Sequence, residues 1–290
     1  MPRSRKKSRA PLITVHRPES SLRRPAALVR NMFQDLLASR GLAWQLIKRN
    51  ISAQYRQSFL GILWAFIPPV VAALGLTFAR ASGVINIGET DLPYPAYVMF
   101  SMTLWQTFVE ALTAPSQGVS DAKGMLIRVN FPREAIILTK LGELFFNFSV
   151  KLILIIGLFI WYQIPITWSA LLAPIALIHL VVFGTFIGMF VATVGALYRD
   201  FSQAIPLLSN AWLLITPVVY PPVASGAFGK IVQLNPVTPL LVTVRELATT
   251  GIVSDPHGFW ISSAIGFVGL LLAWLVYRLS IPYIVERMSS

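Results

Sequence analysis

Apolar and polar positions divide the chain into three stretches. It is polar and proline-punctuated to about residue 25, amphipathic to about residue 58, and then overwhelmingly apolar. In the amphipathic stretch Leu28, Val29, Met32, Phe33, Leu36 and Leu37 recur at helical spacing. Gly41 interrupts the pattern, and Ile47, Ile51, Tyr55 and Phe59 then recur every four residues. Lys48, Arg49, Ser52 and Arg56 occupy other positions of that helix, so the segment 26–58 is expected to form helices lying in a membrane interface. Beyond it, apolar runs long enough to cross a bilayer alternate with short polar or proline-rich breaks. They predict six spans: 59–79, kinked at Pro68 and Pro69; 94–113, ending near Glu110; 134–161; one closing at Tyr198; 201–219; and 256–277. Leu152 to Tyr198 holds no Asp, Glu, Lys or Arg, too long a run for one helix, and Gln163-Ile164-Pro165 supplies a very short loop inside it. Residues 114–134 read as a polar connection. Within 220–255, the pieces Ile231–Leu234 and Val237–Val244 are too short to span, and fit either an external loop or a pair of re-entrant half-helices.

Composition narrows the class. The 290 residues are 55% hydrophobic and 12% charged, with mean hydropathy +0.66, against about a quarter charged in soluble domains. That excludes an ordinary soluble protein, a disordered chain and an outer-membrane barrel, whose alternating strands keep hydropathy low. The expected fold is an all-α integral membrane protein. With no cysteine, disulfides, thiolate metal sites and a cysteine nucleophile are excluded. His16, His179 and His257 are too scattered for a metal pair, and no metal or other cofactor is expected in this chain.

The net charge of +12 is concentrated at one end: residues 1–60 hold thirteen Lys/Arg against Glu19 and Asp35, and the rest is almost balanced. The basic tail 1–25, expected to be disordered, is compatible with nucleic-acid binding, with a targeting segment, or with a cytoplasmic tail beside anionic lipid. No recognised nucleic-acid fold follows it, and the third reading suits a membrane body. With the N-terminus inside, nineteen basic residues fall on the cytoplasmic side and three, Arg80, Lys230 and Arg245, outside. The expected topology therefore has both termini, including a tail at 281–290, in the cytoplasm of a plasma membrane.

Familiar catalytic chemistry is missing. No phosphate-binding loop is present, so ATP hydrolysis by that route is excluded. There is no His-Glu-x-x-His. The run Ala224-Ser225-Gly226 resembles in part an intramembrane serine protease, but Val223 stands where that motif needs glycine, and no histidine is placed to activate the serine. Within the third span Lys140 and Glu143 are spaced to pair, and Lys151 lies two turns beyond Glu143. These charges fit either the lining of an anion path or residues that pair and snorkel at the interface.

Five short runs, in order, carry a resemblance: Gln54-Tyr55-Arg56-Gln57-Ser58-Phe59-Leu60-Gly61-Ile62-Leu63-Trp64, Phe131-Pro132-Arg133-Glu134, Tyr198-Arg199-Asp200-Phe201, Thr216-Pro217-Val218-Val219-Tyr220, and Leu234-Asn235-Pro236. Together they resemble the ABC-2 type permeases that export O-antigen, capsule and teichoic-acid polysaccharides. The tail before residue 26 is outside that pattern. The resemblance implies a half-transporter: a homodimer forming a channel for a lipid-linked glycan, with two separate ATPase subunits that hold ATP and Mg. It implies coupling to the ATPase through Ser116, Asp121, Lys123, Arg128, Arg199 and Asp200. Lys48, Arg49 and Arg56 would attract the lipid phosphate head group. Trp64, Phe66, Phe100, Trp105, Phe108, Lys151, Trp212 and Tyr220 are candidate channel lining. Pro217, Tyr220, Asn235 and Pro236 would form a re-entrant outer gate near 220–250. The competing classes are a secondary transporter or channel without ATP, a membrane-embedded transferase and a scaffold. Internal repeats and clustered acids, which the first two would favour, are not evident.

Overall fold

The computed structural model describes residues 25–56, 61–128, 131–195, 199–222 and 225–289, and among them the chain is helical with no strand. The expected tail 1–24, residues 57–60, Tyr198 and Val223-Ala224 lie outside the described residues, as do the side chains of Arg128, Arg199 and Asp200. In chain order the helices are α1 (Pro25–Arg56), α2 (Ile67–Ala81), α3 (Tyr94–Asp121), α4 (Lys123–Arg128), α5 (Glu134–Trp161), α6 (Ala173–Gly195), α7 (Arg199–Leu214), α8 (Gly226–Leu234), α9 (Val237–Ala248) and α10 (Pro256–Ser289). Short 3-10 turns occupy Gly61–Ala65 and Trp168–Leu171.

α1 corrects the expectation of two interfacial helices broken at Gly41. It is one helix of 32 residues. Its buried line runs Leu28, Met32, Ser39, Ala43 and Leu46, with Asp35 and Asn50 on the same 3.6-residue period, and it packs along α5. Ile47 lies over Gly142 of α5, where an added methyl would come within 2.3 Å of its Cδ1. That contact is what glycine permits. Val29, Phe33, Leu37 and Trp44 remain exposed along another line, so the helix presents one face to α5 and a second apolar strip away from it.

α5, α6 and α10 through Ile281 are long and apolar enough to cross a membrane. α5 begins and ends where the pattern places the third span. α2 differs: Pro68 and Pro69 are in its first turn instead of at a mid-span kink, where a missing N–H removes no hydrogen bond. It has 15 residues, ~22 Å at 1.5 Å per residue. α3 differs the other way. It runs on through Pro115 to Asp121 for 28 residues, across the expected polar connection. Tight packing carries it past the proline: Gly188 of α6 sits so close that a methyl there would lie 2.2 Å from the Leu112 carbonyl oxygen. α7 stops at Leu214, short of the predicted Val219, and the link from α5 to α6 is longer than expected, including the turn at Trp168–Leu171. α8 and α9 are two short helices joined at Asn235-Pro236, as the two apolar pieces suggested. The main core joins α3, α5, α6 and α9 through residues such as Phe100, Leu104, Phe108, Leu144, Leu180, Phe183, Leu240 and Leu241.

Candidate functional site

Glu110 of α3 and Lys151 of α5 meet across the helix pair, with Lys151 Nζ 2.5 Å from Glu110 Oε1. The lysine side chain is 5% exposed and the carboxylate 33%. Lys151 lies 17 residues beyond Glu134, the start of α5, which is ~26 Å along the axis. An ammonium group at that depth needs a partner, and Glu110 supplies it, so pairing and not snorkelling accounts for Lys151. Gln54, Gly61, Trp64, Ala65 and Asn147 join the pair around a cavity of about 260 Å3. The short turn Gly61–Ala65 brings Trp64 to its mouth, where the indole is 58% exposed.

A second polar cluster surrounds the break after α7. Residues 215–222 leave the helix, and their carbonyl oxygens lose regular helical donors. Side chains replace them. Tyr94 Oη donates to the Val219 carbonyl at 3.1 Å and Tyr97 Oη to that of Tyr220 at 2.7 Å. Tyr220 Oη donates back to the Leu214 carbonyl at 2.8 Å. Asn235 does the most: its Nδ2 donates to the Ile215 carbonyl (3.2 Å) and to Thr216 Oγ1 (2.8 Å), and its Oδ1 accepts from Trp212 Nε1 (3.0 Å) and the Val237 N–H (3.1 Å). Arg245 is buried beneath, with Cζ 4.3 Å from the Tyr97 ring centre. Its Nη1 donates to Ser101 Oγ at 3.0 Å and to the Pro217 carbonyl at 3.3 Å. Glu246 turns away from it, to the N–H and hydroxyl of Ser254.

A third cluster gathers at the start of α5. Lys140 bridges Asp121 at 2.8 Å and Glu143 at 2.9 Å. Glu143 also accepts from Asn50 Nδ2 at 2.6 Å, and Asn50 Oδ1 accepts from Arg49 Nη2 at 3.1 Å. Arg278 joins Glu134 at 2.9 Å and Asp35 at 2.5 Å. α1 is thereby tied to α5 and α3 at one point and to α5 and α10 at another.

Against this geometry the expected site residues separate. Lys140 and Glu143 pair as their spacing suggested. Asn235, Pro217 and Tyr220 fall together at the break, and Pro236 opens α9 as its N-cap. Trp212 and Phe108 meet edge to face at 5.4 Å beside them. Phe100, Trp105 and Phe108 are buried in the core that joins α3 to α5, α6 and α9. Trp64 and Lys151 border the polar cavity, and Phe66 is half-buried beside that turn as the residue before α2. Lys48, Arg49 and Arg56 are exposed on α1, Lys48 lying over the Trp44 ring at 5.0 Å. Asp121 and Lys123 are exposed where α3 gives way to α4, and the Ser116 hydroxyl is buried without a hydrogen-bond partner among the described residues. Arg199 opens α7.

Sequence reasoning missed Glu110 as the partner of Lys151 and Gln54 and Asn147 as its neighbours around the cavity, and missed Tyr94, Tyr97, Ser101 and Arg245 around the break. A signal existed for Arg245: with Glu246 it is one of two charges in the half-helix Val237–Ala248, and a guanidinium taken out of water must find hydrogen-bond acceptors. Nothing local in the sequence marks the tyrosines.

Residues 41–248 match the ABC-2 type transporter family. The chain is also similar to the O-antigen export system permease protein RfbA of Myxococcus xanthus, 26% identical over 258 residues that cover 85% of this chain and 92% of the relative. Two proteins of the same name from Klebsiella pneumoniae are 20% and 22% identical, over 78% and 72% of this chain and 86% and 80% of their own lengths.

Proposed function

This chain belongs to the ABC-2 type transporter family, and we propose that it is the membrane-spanning subunit of an exporter of a lipid-linked polysaccharide, of the O-antigen, capsule or teichoic-acid kind. The observation that carries the reading is the reach of the likeness: it extends over 92% of a relative named as an O-antigen export permease. In this reading two copies form the channel in a bacterial inner membrane, with six spans each and both termini cytoplasmic. Two ATPase chains dock below and supply the ATP and Mg chemistry; this chain carries no phosphate loop of its own. Their movements reach the bundle through Ser116, Asp121, Lys123 and Arg128 at the end of α3 and in α4, and through Arg199 and Asp200 at the start of α7. Lys48, Arg49 and Arg56, exposed on α1, gather the anionic head of the lipid carrier by charge. The break at Pro217–Tyr220 with Asn235 and Pro236 closes the outer mouth, since irregular backbone at membrane depth is tolerated where protein satisfies it.

The test is complementation. In cells deleted for this gene, the chain restores surface glycan only together with its ATPase partner. The purified chain alone neither binds nor hydrolyses ATP. Glycan export that persists when the ATPase is deleted would replace this reading with a secondary transporter.

A further inference from the structure

Charge neutralisation accounts for Lys151 opposite Glu110, but not for the two carboxamides and the exposed indole grouped around the pair at the same cavity. A buried ion pair is weak support for stability, because desolvation offsets most of the attraction. A pair kept only for structure is expected to be closed over. Here the lysine is almost wholly buried while Glu110 is one-third exposed, on the edge of an open space shared with two carboxamide residues, Gln54 and Asn147, and an exposed indole, Trp64.

Each of these groups recognises something different. An ammonium group binds phosphate as a point charge. A carboxylate and carboxamides take the hydroxyls of a sugar, because ionised carboxylate only accepts and amides both donate and accept. An indole offers a flat apolar face to the C–H face of a sugar ring. A bare anion would meet repulsion from Glu110, and a neutral sugar would make no use of the ammonium group. A molecule carrying both phosphate and sugar uses all of them. Lys48, Arg49 and Arg56, exposed along the helix that ends beside Gln54, raise the local concentration of such an anion.

We propose that this cavity binds a glycosyl phosphate: Lys151 leaves Glu110 for the phosphate, and the freed Glu110 carboxylate accepts hydrogen bonds from the sugar beside Trp64. The proposal deepens the exporter reading, which supplies the ligand as the first sugar and phosphate of a lipid-linked glycan. The same chemistry could arrive as a soluble sugar phosphate.

The experiment measures binding to the full chain in lipid nanodiscs. Three probes are used: a polyisoprenyl phosphate carrying one hexose, the same lipid phosphate without sugar, and soluble hexose 1-phosphate. Wild type binds the glycosylated lipid in preference to the bare one. Lys151→Gln weakens both phosphate lipids by about tenfold, the scale of one charge-assisted hydrogen bond. Glu110→Gln and Trp64→Ala keep affinity for the bare lipid but erase the preference for the sugar. Equal affinity for hexose 1-phosphate, with the same dependence on Lys151, assigns the site to a soluble donor; its failure to bind assigns it to the lipid head group. The double variant Lys151→Gln with Glu110→Gln keeps an uncharged hydrogen bond across the helix pair and controls for folding. Binding of the glycosylated lipid by that variant within about twofold of wild type overturns the site. ATPase-dependent export by the wild type alongside that result would leave the exporter reading standing. Loss of ATPase-dependent export in the wild-type complementation would remove the exporter reading whatever the cavity binds.

Discussion

Residues 215–222 and the start of α5 are both places where the chain must satisfy polar groups inside an apolar body, and they do so by opposite means. At 215–222 the work falls mostly to neutral groups: two tyrosine hydroxyls from α3, the Asn235 carboxamide and Tyr220 itself, with Arg245 as the one charged donor and Arg80 over the Tyr94 ring at 4.8 Å. At the start of α5 it falls to ion pairs, with Lys140 between two carboxylates and Arg278 between two more. α3 reaches both places. Tyr97 and Asp121 stand 24 residues apart on it, ~36 Å along the axis. The neutral cluster is shielded and directional, and its hydrogen bonds are expected to respond little to salt. The ionic cluster is partly wetted, with Asp121 63% exposed, and can exchange partners at small cost. A transporter needs both properties: a fixed break in the backbone at one end of a helix, and contacts at the other that can be remade as a motor chain moves.

The sharpest way to break this contrast is Asn235→Ala. The substitution strands the Ile215 carbonyl, Trp212 Nε1 and the Val237 N–H in a buried or part-buried setting, while Thr216 Oγ1 keeps its bond to the Trp212 carbonyl. Each buried group left unpaired costs ~1–3 kcal/mol, so the loss should reach at least ~3 kcal/mol and show as a collapse in folded yield and thermal unfolding midpoint in detergent. Asn235→Asp keeps the accepting oxygen but removes the donor to Ile215 and buries a charge; it should fare no better. Near-wild-type stability of Asn235→Ala would mean that the break does not depend on side-chain capture.

Tyr97→Phe is milder. It removes one hydroxyl donor to the Tyr220 carbonyl and leaves the ring beneath Arg245. The expected loss is ~1–2 kcal/mol, unchanged between low and high salt. A salt-dependent loss would place Tyr97 in an electrostatic network and blur the contrast.

Much of this architecture was legible in the sequence, for reasons the two clusters make plain. α5 could be bounded at both ends because Glu134 and the Gln163-Ile164-Pro165 turn flank an apolar run. The α8–α9 pair could be seen because its two pieces are too short to span. Pro115 and Gly41, by contrast, are local helix-breaking signals that tertiary packing overrides: Pro115 by the close approach of Gly188, Gly41 by the continuous seam of α1 on α5. Asn235, Pro217 and Tyr220 stood out through their motif. Tyr94, Tyr97 and Ser101, which complete the cluster, lie 120 to 144 residues from the groups they bind, and no spacing rule reaches that far. Lys151 was visible as a charge in an apolar run, while Glu110, 41 residues away, looked like the end of a span.

On the ionic side, Arg278→Gln separates two effects. It leaves Asp35 in water but leaves Glu134, 8% exposed, without its cation. The loss should be ~1 kcal/mol, read as the difference in unfolding midpoint from wild type. It should shrink when ionic strength rises from about 0.05 to 0.5 M, where the screening length falls several-fold. A loss that persists at high salt would make the pair a buried structural bond like those at 215–222.

Asp121→Asn should have the smallest effect and is the most discriminating for function. Lys140 holds two acids, and Glu143, only 14% exposed and fixed by Asn50, remains after the change. Asp121 is a mostly solvated partner whose removal costs less than ~0.5 kcal/mol, so unfolding midpoint and yield should match wild type. Its position is what matters: it is the last residue of α3, separated from α4 by Ala122 alone. If the ion pair to Lys140 were only surface decoration, neither Asp121→Asn nor Asp121→Lys would alter export. If it is the movable joint between α3 and α5, Asp121→Lys sets like charges together at 2.8 Å spacing and should depress ATPase-coupled export while leaving stability within ~1 kcal/mol of wild type. Restoration of export by the swap Asp121→Lys with Lys140→Asp would identify the contact itself as the joint; the swap failing while Asp121→Lys exports normally would return this end of α3 to the status of an inert, solvated helix terminus.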